Sequence, residues 1–83
     1  WGDKTLTDAL DRALTMARKA DSIAVANDLI SERISTQKLT GSIFIFLGDF
    51  ERASMHVFQG LKIAEKLDDK KAISSFYSSM VMI

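Results

Sequence analysis

The chain has 83 residues, with 11 basic and 11 acidic side chains that cancel to a net charge of zero. That balance argues against a nucleic-acid footprint, which wants a basic face, and against a polybasic membrane surface. There is no cysteine, so no disulfide framework and no zinc–thiolate site, and no apolar run has the length of a membrane span or the layout of a signal peptide.

A chain of this length is one small domain or a piece of a larger one, and a lone core of this size is marginal. It has no proline, four glycines and no β-hairpin dipeptide, which makes it all-α. It lacks an initiator Met and its last helix is cut before a turn, so a fragment of a longer helical array is expected.

In chain order, Trp1-Gly2-Asp3 resembles the later Leu47-Gly48-Asp49 turn. Thr5 and Asp8 have capping-box spacing, which predicts a first helix over 5–20 with Leu6, Leu10, Ala13, Leu14, Ala17 and Ala20 inward. Asp21 or Ser22 is the expected cap of the next segment. Ile23, Ala26, Ile30, Ile34, Gly41, Phe44 and Ile45 recur there at helical spacing. Nothing between Ser31 and Lys38 breaks a helix, so one long helix over 22–47 is expected. The alternative is a break near Ser35-Thr36, where propensity is poorest.

Gly48 stops that helix, since glycine enters the left-handed conformation without a Cβ penalty. Asp49 caps the next one, over 49–67, and the short connection forces an αα-hairpin. Phe50, Ala53, Val57, Gly60, Leu61, Ala64 and Leu67 share one face of it, and the small ones allow a neighbour to come close. Asp68-Asp69-Lys70-Lys71 then connects to a last helix over 71–83. Ile73, Phe76, Tyr77, Met80, Val81 and Ile83 cover more than half its circumference, so it expects neighbours on two sides. The run Arg12–Asp21 parallels Gln59–Asp68, an internal repeat that makes residues 1–20 the second helix of a preceding, degenerate unit.

The spacing of Gly41, Phe44, Gly48, Asp49, Phe50, Ala53 and Gly60 resembles a tetratricopeptide repeat, and the Ile-Ala-Glu-Lys-Leu ending at Ile63–Leu67 is similar to the longer repeats of bacterial signalling and regulatory proteins. The match covers Gly41 to about Ile73. Gly60 stands where the family prefers Ala, Val57 where it prefers a larger aromatic, Val81 where it prefers Gly, and the usual proline is missing. The resemblance implies an α-solenoid of antiparallel helical hairpins, about one and a half to two repeats, that works as a protein–protein interaction scaffold. It implies a concave groove lined by Ser35, Lys38, Ser42, Ile45 and Phe46. Lys38 sits at the lysine position of the family's carboxylate clamp, but Ser42 stands where Asn is expected. An apolar or helical segment on Ile45 and Phe46 is therefore the expected occupant.

The chemistry-bearing residues read blandly. His56 is the only histidine, and its helix position points to solvent rather than to a ligand or base. Glu51, Glu65, Asp68 and Asp69 suit capping and solvation. Ser74, Ser75, Ser78 and Ser79 make a small-residue patch suited to packing. No nucleophile elbow is present. The expectation is a non-enzymatic module with no metal and no cofactor. Its partner is a protein or peptide, with no nucleic acid and no membrane. Alternatively it is an oligomerisation or spacer domain that forms a homodimer through Ile73, Phe76, Tyr77, Met80, Val81 and Ile83.

Overall fold

A computed structural model describes residues 2–81, all of it helix and turn. Four helices follow one another: α1 (Gly2–Ala26), α2 (Ile30–Leu47), α3 (Phe50–Lys66) and α4 (Lys70–Val81). Each connection is so short that every helix must fold back along its predecessor. Contacts run between chain neighbours, α1 with α2, α2 with α3 and α3 with α4, with a light touch of α2 on α4.

The three connections share one backbone geometry. Asp28, Gly48 and Asp68 are left-handed, with φ of 56°, 78° and 53°, and stand 20 residues apart. At each, the left-handed residue's N–H donates three residues back, to Val25, Ile45 and Glu65, at 3.0–3.2 Å. The next N–H donates five residues back, to Ala24, Phe44 and Ala64, at 2.8–2.9 Å. This is the Schellman arrangement, which satisfies carbonyls that the helix end would otherwise leave open. The following helix starts at once. Asp49 accepts from the N–H of Arg52, and Asp69 from that of Ala72, as N-caps do. Leu29 holds the same place before α2 with no side-chain cap.

The sequence places the first break wrongly. Neither a long helix over 22–47 nor a break at Ser35-Thr36 exists: α1 runs through Asp21 and Ser22 and stops at Asn27-Asp28. Asn and Asp are the non-glycine residues that best tolerate the left-handed region, and the Asn27 amide also donates to Ile23 O at 2.8 Å. The apparent repeat between Arg12–Asp21 and Gln59–Asp68 is off by seven residues, because the turns align Asp28, not Asp21, with Asp68. Seven residues are almost two full turns, so the slip leaves every apolar residue on nearly the same face. Nor does the first helix wait for Thr5, since Gly2 is already helical; this displaces both the capping box and the turn expected at residues 1–3, of which Trp1 lies outside the described residues.

The core lies between α2, α3 and α4. Ile34, Val57, Leu61, Ala64, Ala72 and Phe76 form it, with Ile63, Ile73 and Met80 half-buried against it. The expected face of α3 holds at Ala53, Val57, Gly60, Leu61 and Ala64, whereas Phe50 and Leu67, at its ends, are exposed. Gly60 is there for Phe76: a Cβ on it would lie 2.3 Å from Cζ of that ring. Gly41 similarly brings α2 onto α3, where a Cβ would lie 3.2 Å from Val57 Cγ2. On α1 the expected inward face is covered only in part. Ala17 is buried and Leu10, Ala13 and Leu14 are half-buried, but Leu6 and Ala20 are exposed. Among the described residues α1 packs on α2 alone, and one neighbour cannot cover a stripe that broad.

Candidate interaction surfaces

Because the turns recur every 20 residues, positions 40 apart occupy equivalent places in successive helix pairs. At the α3–α4 interface Leu61, Ile73 and Phe76 are apolar, and the same places at the α1–α2 interface hold Asp21, Arg33 and Thr36. They form a polar seam. The Thr36 hydroxyl lies 2.6 Å from Asp21 Oδ1 and 3.0 Å from the Arg33 carbonyl oxygen, and Arg33 Nε donates to the same carboxylate at 3.3 Å. Thr40, below it, donates to the Thr36 carbonyl at 2.8 Å. Every buried polar side-chain atom described has a partner. Sequence reading missed the burial of Thr36, Gln37 and Thr40; their i, i+4 threonine spacing was the one available signal.

α2 is buried toward both α1 and α3, through Ile34, Thr36, Gln37, Thr40, Gly41, Ile43 and Phe44. Its remaining face is open. Ser35, Lys38 and Ser42 are exposed on it, Ile45 is half-buried at its border, and Phe46 is 65% exposed. The five expected groove residues therefore share one surface. Leu39, 50% exposed, lies among them and was not singled out from the sequence. The Ser42 hydroxyl is spent on the Lys38 carbonyl at 2.9 Å, so it offers no ready substitute for a clamp asparagine. Beside this face, Met16, Ala17, Ala20, Ser35, Thr36 and Leu39 line a shallow, largely apolar cleft of about 270 Å³ between α1 and α2.

His56 is not the solvated residue its sequence position suggested. It is half-buried, its Nδ1 lies 2.8 Å from Gln37 Oε1, and its ring stacks on Phe44 with centroids 5.5 Å apart. The Arg52 guanidinium, ion-paired to Asp49 at 3.5 Å, stands 5.8 Å from the centroid of the same Phe44 ring. Burial, and then the Arg18 charge, hold the His56 pKa below the ordinary value, with Asp21 pulling it up. These contacts tie α3 to α2. Among the described residues, no three His, Cys, Asp or Glu side chains converge on a point where a metal ion could sit. No described helix is long and apolar enough to cross a membrane.

The residues expected for self-association divide in two. Phe76 is fully buried, and Ile73 and Met80 are half-buried against α3, so these three serve the core. Tyr77 and Val81 are 51% and 88% exposed. Ile83 lies outside the described residues. Of the serine patch, Ser74 and Ser78 are exposed, while Ser75 and Ser79 are half-buried, with the Ser79 hydroxyl donating to the Ser75 carbonyl at 3.2 Å. No protein-family model matches the chain, and comparison with curated proteins and with solved structures likewise gives no match.

Proposed function

We propose that this chain is a tetratricopeptide-like interaction module of a bacterial regulatory or sensory protein. It binds a peptide or partner domain through the open face of α2 and catalyses no reaction. One observation carries the reading: Phe46 and Leu39, seven residues apart, stand in the open beside Lys38. Large apolar side chains at that spacing suit an amphipathic helix or an extended segment with two apolar anchors, and Lys38 suits an acidic group next to them. The common geometry of the three turns supports a helix-pair repeat of about 40 residues, longer than the ~34 usual in the family.

The test is a fluorescence anisotropy screen of peptides carrying paired apolar anchors and an acidic flank. For a binder, Phe46→Ala should raise Kd at least about tenfold, the loss of roughly 1.4 kcal/mol of apolar burial. Lys38→Glu should weaken binding and flatten its salt dependence. Neither change should alter the mass of the chain in solution. Binding indifferent to both substitutions refutes the site. A second reading, an oligomerisation or spacer domain, is favoured by the exposure of Tyr77 and Val81 on α4; there Tyr77→Glu, and not Phe46→Ala, abolishes association.

A further inference from the structure

The end of α1, the start of α2 and the end of α3 together form a cleft of about 260 Å³. Val25, Leu29, Ile30 and Leu67 line it, each between 42% and 55% exposed, with the half-buried Ile63 among them. Its charged residues are Arg33, Lys66 and Asp28. Helix packing does not ask for these residue types. Forty residues on, the places of Val25, Leu29 and Ile30 hold Glu65, Asp69 and Lys70, and the place of Arg33 holds Ile73, half-buried against the core. The same fold thus accepts polar side chains where the cleft is apolar, and an apolar one where the cleft has a cation. Leu29 even gives up a hydrogen bond, since it stands at the N-cap place where Asp49 and Asp69 supply a capping carboxylate. Exposed apolar side chains gathered without a packing reason mark a binding surface. The cations say what kind. Asp21 accepts from Arg33 Nε at 3.3 Å, and among the described residues the guanidinium makes no other hydrogen bond. Lys66 makes no ion pair among them. An apolar recess edged by two cations and one carboxylate is complementary to an anion with an apolar body. Small-molecule sites have this make-up, mostly apolar with a few placed polar groups, and run to ~300–1,000 Å³, so this one suits a compact ligand.

We infer that this cleft binds a small amphipathic carboxylate, with its apolar tail on Leu29, Ile30 and Leu67 and its head at Arg33 and Lys66. Asp21 holds Arg33 in position for that head, and Asp28 opposes it by like charge. The site stands apart from the α2 face that carries Leu39 and Phe46, so the two can fail separately. A substitution at Phe46 should leave carboxylate binding as it was.

The experiment is titration of the isotope-labelled chain with octanoate, followed by amide chemical shifts, with 1-octanol as the uncharged match and acetate as the head without a tail. Octanoate should give saturable shifts centred on Leu29, Arg33 and Leu67, and should bind more tightly than either control. Leu29→Asp should raise its Kd at least about tenfold, the loss of most of one leucine's apolar contact. That variant restores the missing cap, so helical circular dichroism should hold and misfolding cannot account for the loss. Lys66→Gln, on the surface, should raise Kd about threefold, and Asp28→Asn should lower it by a similar factor, as expected of exposed charges. Absence of saturable shifts overturns the inference, as do shifts centred on Leu39 and Phe46 instead. Octanol binding as tightly as octanoate also overturns it, since the cations would then recognise nothing and the patch would be an apolar contact for a partner protein. An unchanged Kd in Leu29→Asp overturns it too.

Discussion

Replacing Gly60 with alanine sets two known effects against each other in one site. In an unobstructed helix interior the change should stabilise by about 1 kcal/mol. Here the new methyl would sit 2.3 Å from Cζ, 2.6 Å from Cε1 and 3.0 Å from Cε2 of Phe76. Carbon atoms in good contact lie ~3.5–4.0 Å apart, so the ring must retreat by more than about 1 Å. It has nowhere to go, because Phe76 is fully buried among Ile34, Val57, Leu61, Ala64 and Ala72. Overpacking of that kind costs about 1–3 kcal/mol. The net expectation for Gly60→Ala is a loss of about 1 kcal/mol, seen as a fall in Tm of about 4–8 °C for a domain of this size. The decisive assay is a double-mutant cycle by urea unfolding, followed by circular dichroism. Phe76→Leu alone leaves a cavity and destabilises. On that background Gly60→Ala should now stabilise by about 1 kcal/mol, giving a coupling of roughly 2 kcal/mol between the two sites. If Gly60→Ala has the same effect in both backgrounds, the ring is not what excludes a side chain at position 60.

Three further outcomes follow from the turns and from His56. Leu29 holds the N-cap place that Asp49 and Asp69 hold elsewhere, so Leu29→Asp should stabilise by about 1 kcal/mol and Asp49→Ala should cost about as much; thermal melts decide. Asp68→Gly should remove the left-handed strain at φ 53°, raising stability by up to about 1 kcal/mol, whereas Gly48→Ala should introduce such strain and lower it; opposite signs in urea titrations are the check. The His56 pKa is depressed on folding. Above its unfolded value, about 6.5, the ring is neutral in both states and the contribution is complete. As pH falls from there toward the folded pKa, the unfolded chain takes up the proton first and stability declines, levelling off once the folded ring is also charged. His56→Gln should remove that segment of the Tm–pH curve; an unchanged curve would show that His56 does not cause it.

Much of the fold was legible because local chemistry and periodicity agreed. Gly48-Asp49 announced the hairpin, the small and apolar residues of α3 named its buried face, and the Asp68–Lys71 connection placed the start of α4. The first break was not legible, because a slip of seven residues is nearly invisible to a 3.6-residue period and Asp21-Ser22 looks as good a cap as Asp28-Leu29. The polar seam was hidden for a related reason. Asp21, Arg33 and Thr36 read as surface residues one at a time, and only the pairing of α1 with α2 shows that they satisfy each other. His56 was misread because Gln37 and Phe44, which enclose it, come from the neighbouring helix and leave no trace in the sequence around it. The α2 residues Ser35, Lys38, Ser42, Ile45 and Phe46 were named from the family resemblance rather than from the chemistry of the segment, and Leu39, exposed beside Phe46, was overlooked.

The helices touch their chain neighbours and little else, and this has a mechanical consequence. Tension applied through the two chain ends would not load the whole core at once. α1, which among the described residues is held by α2 alone across a seam of threonine and charged groups, would peel away first, while α2–α4 kept their shared apolar packing. Such a chain would lengthen in steps of one helix under low force, giving way gradually where a sheet of the same size would hold and then snap.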